Sequence, residues 1–115
     1  DTKKSATVQE MNKLAPSEAA QDWILLFNGK TGEGWRGVNK TDFPAGWIVE
    51  DGTLKCVGSG RGEAGAANGG DILYAAKKFS NFDLKMEWKI SEGGNSGIFY
   101  LGLEKKDWAI WKTAP

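Results

Sequence analysis

The run Phe82-Asp83-Leu84-Lys85-Met86-Glu87-Trp88-Lys89-Ile90 alternates without a break between apolar and charged side chains. Only an extended chain, whose side chains point to opposite faces with period two, sorts such a run into an apolar and a polar side. Phe82, Leu84, Met86, Trp88 and Ile90 then face a core, and Asp83, Lys85, Glu87 and Lys89 face away from it. Ser91-Glu92-Gly93-Gly94 follows, a loop longer than a two-residue hairpin turn, and leads into Asn95 and a second strand, Ser96 to Leu103. The spacing predicts an antiparallel pair with Asn95 and Ser96 carried at its bend.

From Trp23 onward the chain consists of short apolar runs separated by glycine. Ile24–Phe27, Trp47–Glu50, Thr53–Val57, Ile72–Tyr74, Asp83–Ile90 and Ser96–Leu103 are the predicted strands. Glu50-Asp51-Gly52-Thr53 is the strongest hairpin signal, because Asp-Gly tolerates the positive φ angles of a tight strand reversal. No helical pattern of useful length interrupts these strands, so the fold class is all-β, with antiparallel sheets packed as two layers.

Residues 1–22 read as an arm ahead of a β-sandwich portion spanning 23–115. In the arm, Thr7-Val8-Gln9-Glu10 matches a capping box and predicts a helix from Val8 to Leu14. Pro16-Ser17 ends it and begins another turn through Glu18-Ala19-Ala20. Gly58 to Gly70 has no large apolar side chain and forms a loop. It lacks the Gly-Lys-Ser or Gly-Lys-Thr of a phosphate cradle, and reads as a rim from which Arg61 and Glu63 contact substrate.

Fifteen basic and fifteen acidic residues balance, which points to neither nucleic acid nor an anionic membrane surface as partner. No apolar run reaches the ~18–20 residues of a membrane span. Cys56, the single cysteine, alternates with Leu54 and reads as a small buried strand residue, not a nucleophile. Histidine is absent, so neither a Ser-His nor a Cys-His system, nor a His-rich zinc site, is built from these residues. A start at Asp1 with no apolar leader is expected of a processed or trimmed product.

Four segments in order, ILLFNGKTGEGWRG (Ile24–Gly37), GWIVEDGTLKC (Gly46–Cys56), GGDIL (Gly69–Leu73) and FDLKMEWKISEGGNSGIFY (Phe82–Tyr100), resemble the 3-keto-disaccharide hydrolase family. The resemblance implies a concanavalin-like jelly-roll β-sandwich with a concave sugar-facing sheet, of which this chain supplies the N-terminal portion and a C-terminal half of the same domain the rest. It implies a bacterial protein that is secreted, periplasmic or at the cell surface, with a carbohydrate or glycoside as substrate. The chemistry expected is C2 deprotonation, elimination and hydration of a 3-keto-glucoside, with a divalent cation (Ca, Mn or Mg) as electrophile at the ketone. The alternative on the same scaffold is a lectin-like module that binds glycans without turnover.

Glu87, on the face opposite the core, is the catalytic candidate. Lys85 and Lys89 flank it, with charges expected to keep it ionised. From pattern alone it is equally a surface residue in a cross-strand ion pair. Asp71, Asn95, Ser96, Tyr100 and Trp111 are the substrate-binding candidates, although Asp71 and Asn95 are also residue types that turns favour. Of six tryptophans, Trp23, Trp47 and Trp88 are expected in the core and Trp35 in a structural role. Trp108 and Trp111 are the better positions for stacking on a sugar.

Overall fold

A computed structural model describes residues 11–57, 70–108 and 112. Among these the chain forms one short helix and four strands: α1 (Pro16–Ala20), β1 (Trp35–Gly37), β2 (Trp47–Glu50), β3 (Thr53–Cys56) and β4 (Ile72–Tyr74). Both sheets are two-stranded and antiparallel, β2 with β3 and β1 with β4. The fold is thus β-rich, with antiparallel sheets and little helix.

The β2–β3 hairpin follows its sequence signal. Asp51 and Gly52 both take positive φ, 49° and 74°, which matches the right-handed twist of the flanking strands. The register pairs Trp47 with Cys56 and Glu50 with Thr53. Asn12, itself at φ 55°, donates from Nδ2 to the Gly52 carbonyl at 2.8 Å and ties the arm to the hairpin tip. That positive φ is incompatible with the helix expected over Val8–Leu14: residues 11–13 form a turn and bend, while Thr7–Glu10 lie outside the described residues. The turn expected through Glu18-Ala19-Ala20 is α1. Pro16 takes its first position, where a missing N–H costs nothing, and Glu18 Oε1 accepts from the Ala15 N–H at 2.9 Å.

The β1–β4 pair has a different origin. Trp35-Arg36-Gly37 is too short to show a period, and it becomes a strand by pairing Trp35 with Tyr74, Arg36 with Leu73 and Gly37 with Ile72. The Trp35 and Tyr74 rings meet edge-on with centroids 5.5 Å apart, a favoured geometry for aromatic quadrupoles. The Trp35 indole N–H donates to the Leu26 carbonyl at 2.7 Å, which confirms its structural role. That bond, rather than a ladder, holds the Ile24–Phe27 segment predicted as a strand. Trp47 likewise donates from Nε1 to the Gly70 carbonyl at 2.9 Å. Asn28-Gly29 forms a turn, with Asn28 Oδ1 accepting from the N–H groups of Lys30 and Thr31.

Two predicted strands, Asp83–Ile90 and Ser96–Leu103, are not in a ladder. The chain does reverse between them, with the Gly94 N–H donating to the Ser91 carbonyl at 2.9 Å and Gly93 at φ 72°. Phe82 and Tyr100 meet across the reversal, rings 6.5 Å apart and 77° to one another. Alternation specifies which side each residue faces, but a strand also needs a partner for its N–H and C=O groups and a layer over its apolar face. Every residue from 81 to 103 is exposed. Trp88, expected in the core, is 75% exposed, and no large apolar side chain among the described residues is buried. Trp23 and Trp47, also expected there, are half-buried. Among the described residues no helix is long and apolar enough to cross a membrane.

Candidate functional site

The strongest polar constellation joins residues far apart in sequence. Arg36, on β1, forms a two-pronged ion pair with Glu104: Nη1 to Oε2 at 2.7 Å and Nη2 to Oε1 at 2.8 Å. Its Nη1 also donates to the carbonyls of Gly37 and Lys40, at 3.2 and 3.1 Å. The backbone N–H of Asn39 donates to the same carboxylate. Asn39 stands at φ 61°, a left-handed conformation that asparagine tolerates better than most residues, and its Nδ2 reaches the carbonyls of Lys105 at 2.9 Å and Trp108 at 3.2 Å. β1 thereby fixes the turn that carries Trp108.

The planar guanidinium matches the carboxylate fork, so two parallel charge-assisted bonds form. The Arg36 hydrogen bonds, then the Asn39 N–H, pull the Glu104 carboxyl down to about 2 from an ordinary 4.5. Hydrogen bonding to Glu104 pushes the Arg36 guanidinium up. A carboxyl whose folded value is depressed stabilises the fold fully above its unfolded value, and that stability is lost as pH falls through the folded value. In the complete protein, the Arg36–Glu104 contribution should therefore be whole above about pH 4.5 and disappear toward about pH 2. The side chains are 30% and 27% exposed, so solvent screening reduces the effect to on the order of 1 kcal/mol. Denaturant unfolding measured across this range should show a shallower loss of stability in Glu104→Gln than in the parent, and equal slopes would remove the assignment.

A second contact binds the arm to the alternating segment. Lys85 Nζ pairs with Glu18, whose side chain is only 11% exposed, and lies 5.2 Å from the centroid of the Trp23 ring. Lys85, expected to support Glu87, is thus directed to α1 instead. Glu87 is exposed and takes part in no ion pair among the described residues.

Of the binding candidates, Asn95 and Ser96 lie exposed just past the Ser91–Gly94 reversal. Asp71 is exposed ahead of β4, and its carbonyl accepts from the Val38 N–H at 3.0 Å. Tyr100, 58% exposed, borders an open depression with Ser80, Asn81, Phe82, Leu84 and Leu101. Trp111, Arg61 and Glu63 lie outside the described residues. No hydrogen bond or ion pair among the described residues joins Glu87, Asp71, Asn95 and Ser96 to one another. Cys56 is half-buried in β3, and burial first, then the charge of Asp71, pushes its thiol up. That environment suits a packing role, not a thiolate nucleophile.

No group of three or more Cys, Asp or Glu side chains converges among the described residues. The described residues by themselves thus bring together no set of ligands for a divalent cation. Arg36, Asn39 and Glu104 carry no sequence signature, since the pair is 68 residues apart and no local spacing rule reaches that far.

Among the described residues the antiparallel pairs and the single short helix beside them define a β-rich domain. The chain belongs to the 3-keto-alpha-glucoside-1,2-lyase-like domain family, which it matches over residues 22–114. It is 52% identical over 101 residues to the 3-keto-disaccharide hydrolase of Bacteroides thetaiotaomicron, an alignment covering 88% of this chain and 34% of the relative. The chain thus spans about a third of that relative's length.

Proposed function

We propose that this chain forms part of an enzyme that cleaves 3-keto-glycosides by elimination across C1 and C2 followed by hydration. The observation that carries the reading is the 52% identity to a 3-keto-disaccharide hydrolase, within a family described as 1,2-lyase-like. The ketone at C3 acidifies the C2 hydrogen, because the carbanion left behind is delocalised onto the ketone oxygen. A base removes that proton, and the electron pair expels the aglycone oxygen from C1, which takes a proton as it leaves. Water then adds across the C1–C2 double bond, hydroxyl to C1 and proton to C2, for a net hydrolysis. This differs from displacement between two carboxylates at an oxocarbenium-like centre.

In this reading the domain is a concanavalin-like jelly-roll sandwich, and the face bearing Glu87 lines its groove. Glu87 is the base at C2, and Asp71, Asn95, Ser96 and Tyr100 hold sugar hydroxyls and ring. The exposure of Glu87 and the diversion of Lys85 to Glu18 support a carboxylate open to substrate.

The complete protein, given a 3-keto-disaccharide in D2O, should release product carrying deuterium at C2 at initial rates above exchange of the free product. Release without C2 label would indicate direct displacement, and saturable binding without release would make the protein a glycan-binding module. In the same assay Asn95→Ala should weaken substrate binding severalfold while stability stays within about 1 kcal/mol, as for a surface change. Loss of stability with no separable effect on binding would return Asn95 to a turn residue.

A further inference from the structure

We propose that Glu18 is a positioning residue for the C2 chemistry: it holds the Lys85 ammonium away from Glu87 and so leaves that carboxylate open as a base. The assignment rests on the reading of Glu87 as the base at C2. On an extended chain Lys85 and Glu87 share a face roughly 6.5 Å apart, a span that a lysine side chain bridges to form an ion pair. The structure places the ammonium elsewhere. Lys85 Nζ donates to Glu18 Oε2, 67 residues earlier in the chain, and stands 5.2 Å from the centroid of the Trp23 ring.

Glu18 and Trp23 act on that cation together. The Trp23 N–H donates to the Glu18 carbonyl at 3.1 Å, so α1 and the residues after it present a carboxylate oxygen and an indole face to one ammonium. The other oxygen, Oε1, accepts from the Ala15 N–H at 2.9 Å, which anchors the carboxylate at the start of α1. Stability alone does not call for this arrangement. Glu18 is 9% exposed, and a carboxylate taken out of water for an ion pair gives little net stability, a role that an apolar side chain fills as well. Its consequence for the polar face of 82–90 is more specific. Of the two lysines that flank Glu87, Lys85 is withdrawn, and an ammonium held elsewhere does not occupy the oxygens that must take the C2 proton.

The test measures kcat and KM for a 3-keto-disaccharide in the complete protein, in parent, Glu18→Gln, Lys85→Met, the two combined, and Glu87→Gln. Lys89 is kept throughout, so differences belong to Lys85. Glutamine at 18 still accepts from the Ala15 N–H but no longer attracts the ammonium by charge. Glu18→Gln should lower kcat roughly two- to fivefold, the scale of an exposed ion pair, with KM little changed. Adding Lys85→Met should restore kcat, because no ammonium is left to reach Glu87, and Lys85→Met alone should keep the parent kcat. An unchanged kcat in Glu18→Gln would overturn the assignment. So would a loss that Lys85→Met fails to relieve, which is the result for a purely structural pair. A folded Lys85→Met that loses turnover would overturn it too, and that measurement stands even where Glu18→Gln does not fold. A large loss in Glu87→Gln beside an unchanged Glu18→Gln removes the positioning role alone, whereas a fully active Glu87→Gln removes the base reading and this assignment with it.

Discussion

Residues 1–115 produced alone as a monomer should show no sharp cooperative unfolding transition. The expectation comes from the segment 82–103, where Phe82, Leu84, Met86, Ile98, Phe99, Tyr100, Leu101 and Leu103 are each about half exposed or more and Trp88 is 75% exposed. With no large apolar side chain buried among the described residues, the burial that ordinarily offsets chain entropy is missing. A folded domain of ordinary stability, about 5–15 kcal/mol, is therefore not expected of this stretch by itself. We propose that in the complete protein the apolar side of 82–103 is covered by further strands of the same sandwich. The chain's span of 34% of its relative's length leaves ample sequence for that role. The isolated chain should bind a hydrophobic dye, associate as its concentration rises, and melt over a broad range. The complete protein should do none of these. A single sharp transition at one midpoint by fluorescence and by circular dichroism, from monomeric 1–115, would show that the exposed segment is not an unfinished core.

What was legible in the sequence follows the reach of each interaction. The β2–β3 hairpin is local, with Asp51 and Gly52 setting the turn and the register following from it. The Asn28-Gly29 turn and the short helix at Pro16 are local in the same way. β1 was invisible, because Trp35-Arg36-Gly37 has no period and gains its extended form from β4, more than thirty residues later. The segment 82–90 shows the converse. Its alternation states which residues belong to a core, but the ladder and the covering layer depend on partners that alternation does not supply. The same division holds at the candidate site. Asn95, Ser96 and Glu87 stand out from their immediate neighbours, whereas Arg36, Asn39 and Glu104 are recognisable only once β1 meets the Leu103–Trp108 region. The turn at Trp108 could be singled out as aromatic from sequence, but not as rigid.

Glu87→Gln in the complete protein should lower turnover of a 3-keto-glucoside by ~10²–10⁴-fold, the range for loss of a general base. Glutamine keeps the shape of the side chain and its ability to bond a sugar hydroxyl, but has no basic oxygen to take the C2 proton. Substrate binding should thus change far less than the chemical step, and kcat and kcat/KM should fall together, which marks an interaction made in the transition state. Because Glu87 is exposed and pairs with no cation among the described residues, the substitution removes no ion pair among them, and the thermal midpoint should stay close to the parent's. Single-turnover measurements separate the chemical step from product release, and repeating them with a substrate deuterated at C2 tests the role directly. If Glu87 abstracts that proton, the parent should show a primary isotope effect on the single-turnover rate, and the residual Glu87→Gln reaction should be slower at that step. If Glu87 only binds, the change should lie in KM, with the rate at saturation and its isotope effect intact. Unaltered turnover and affinity in Glu87→Gln would leave Glu87 an ordinary residue of an alternating segment, and the base for C2 would have to be sought outside 82–90.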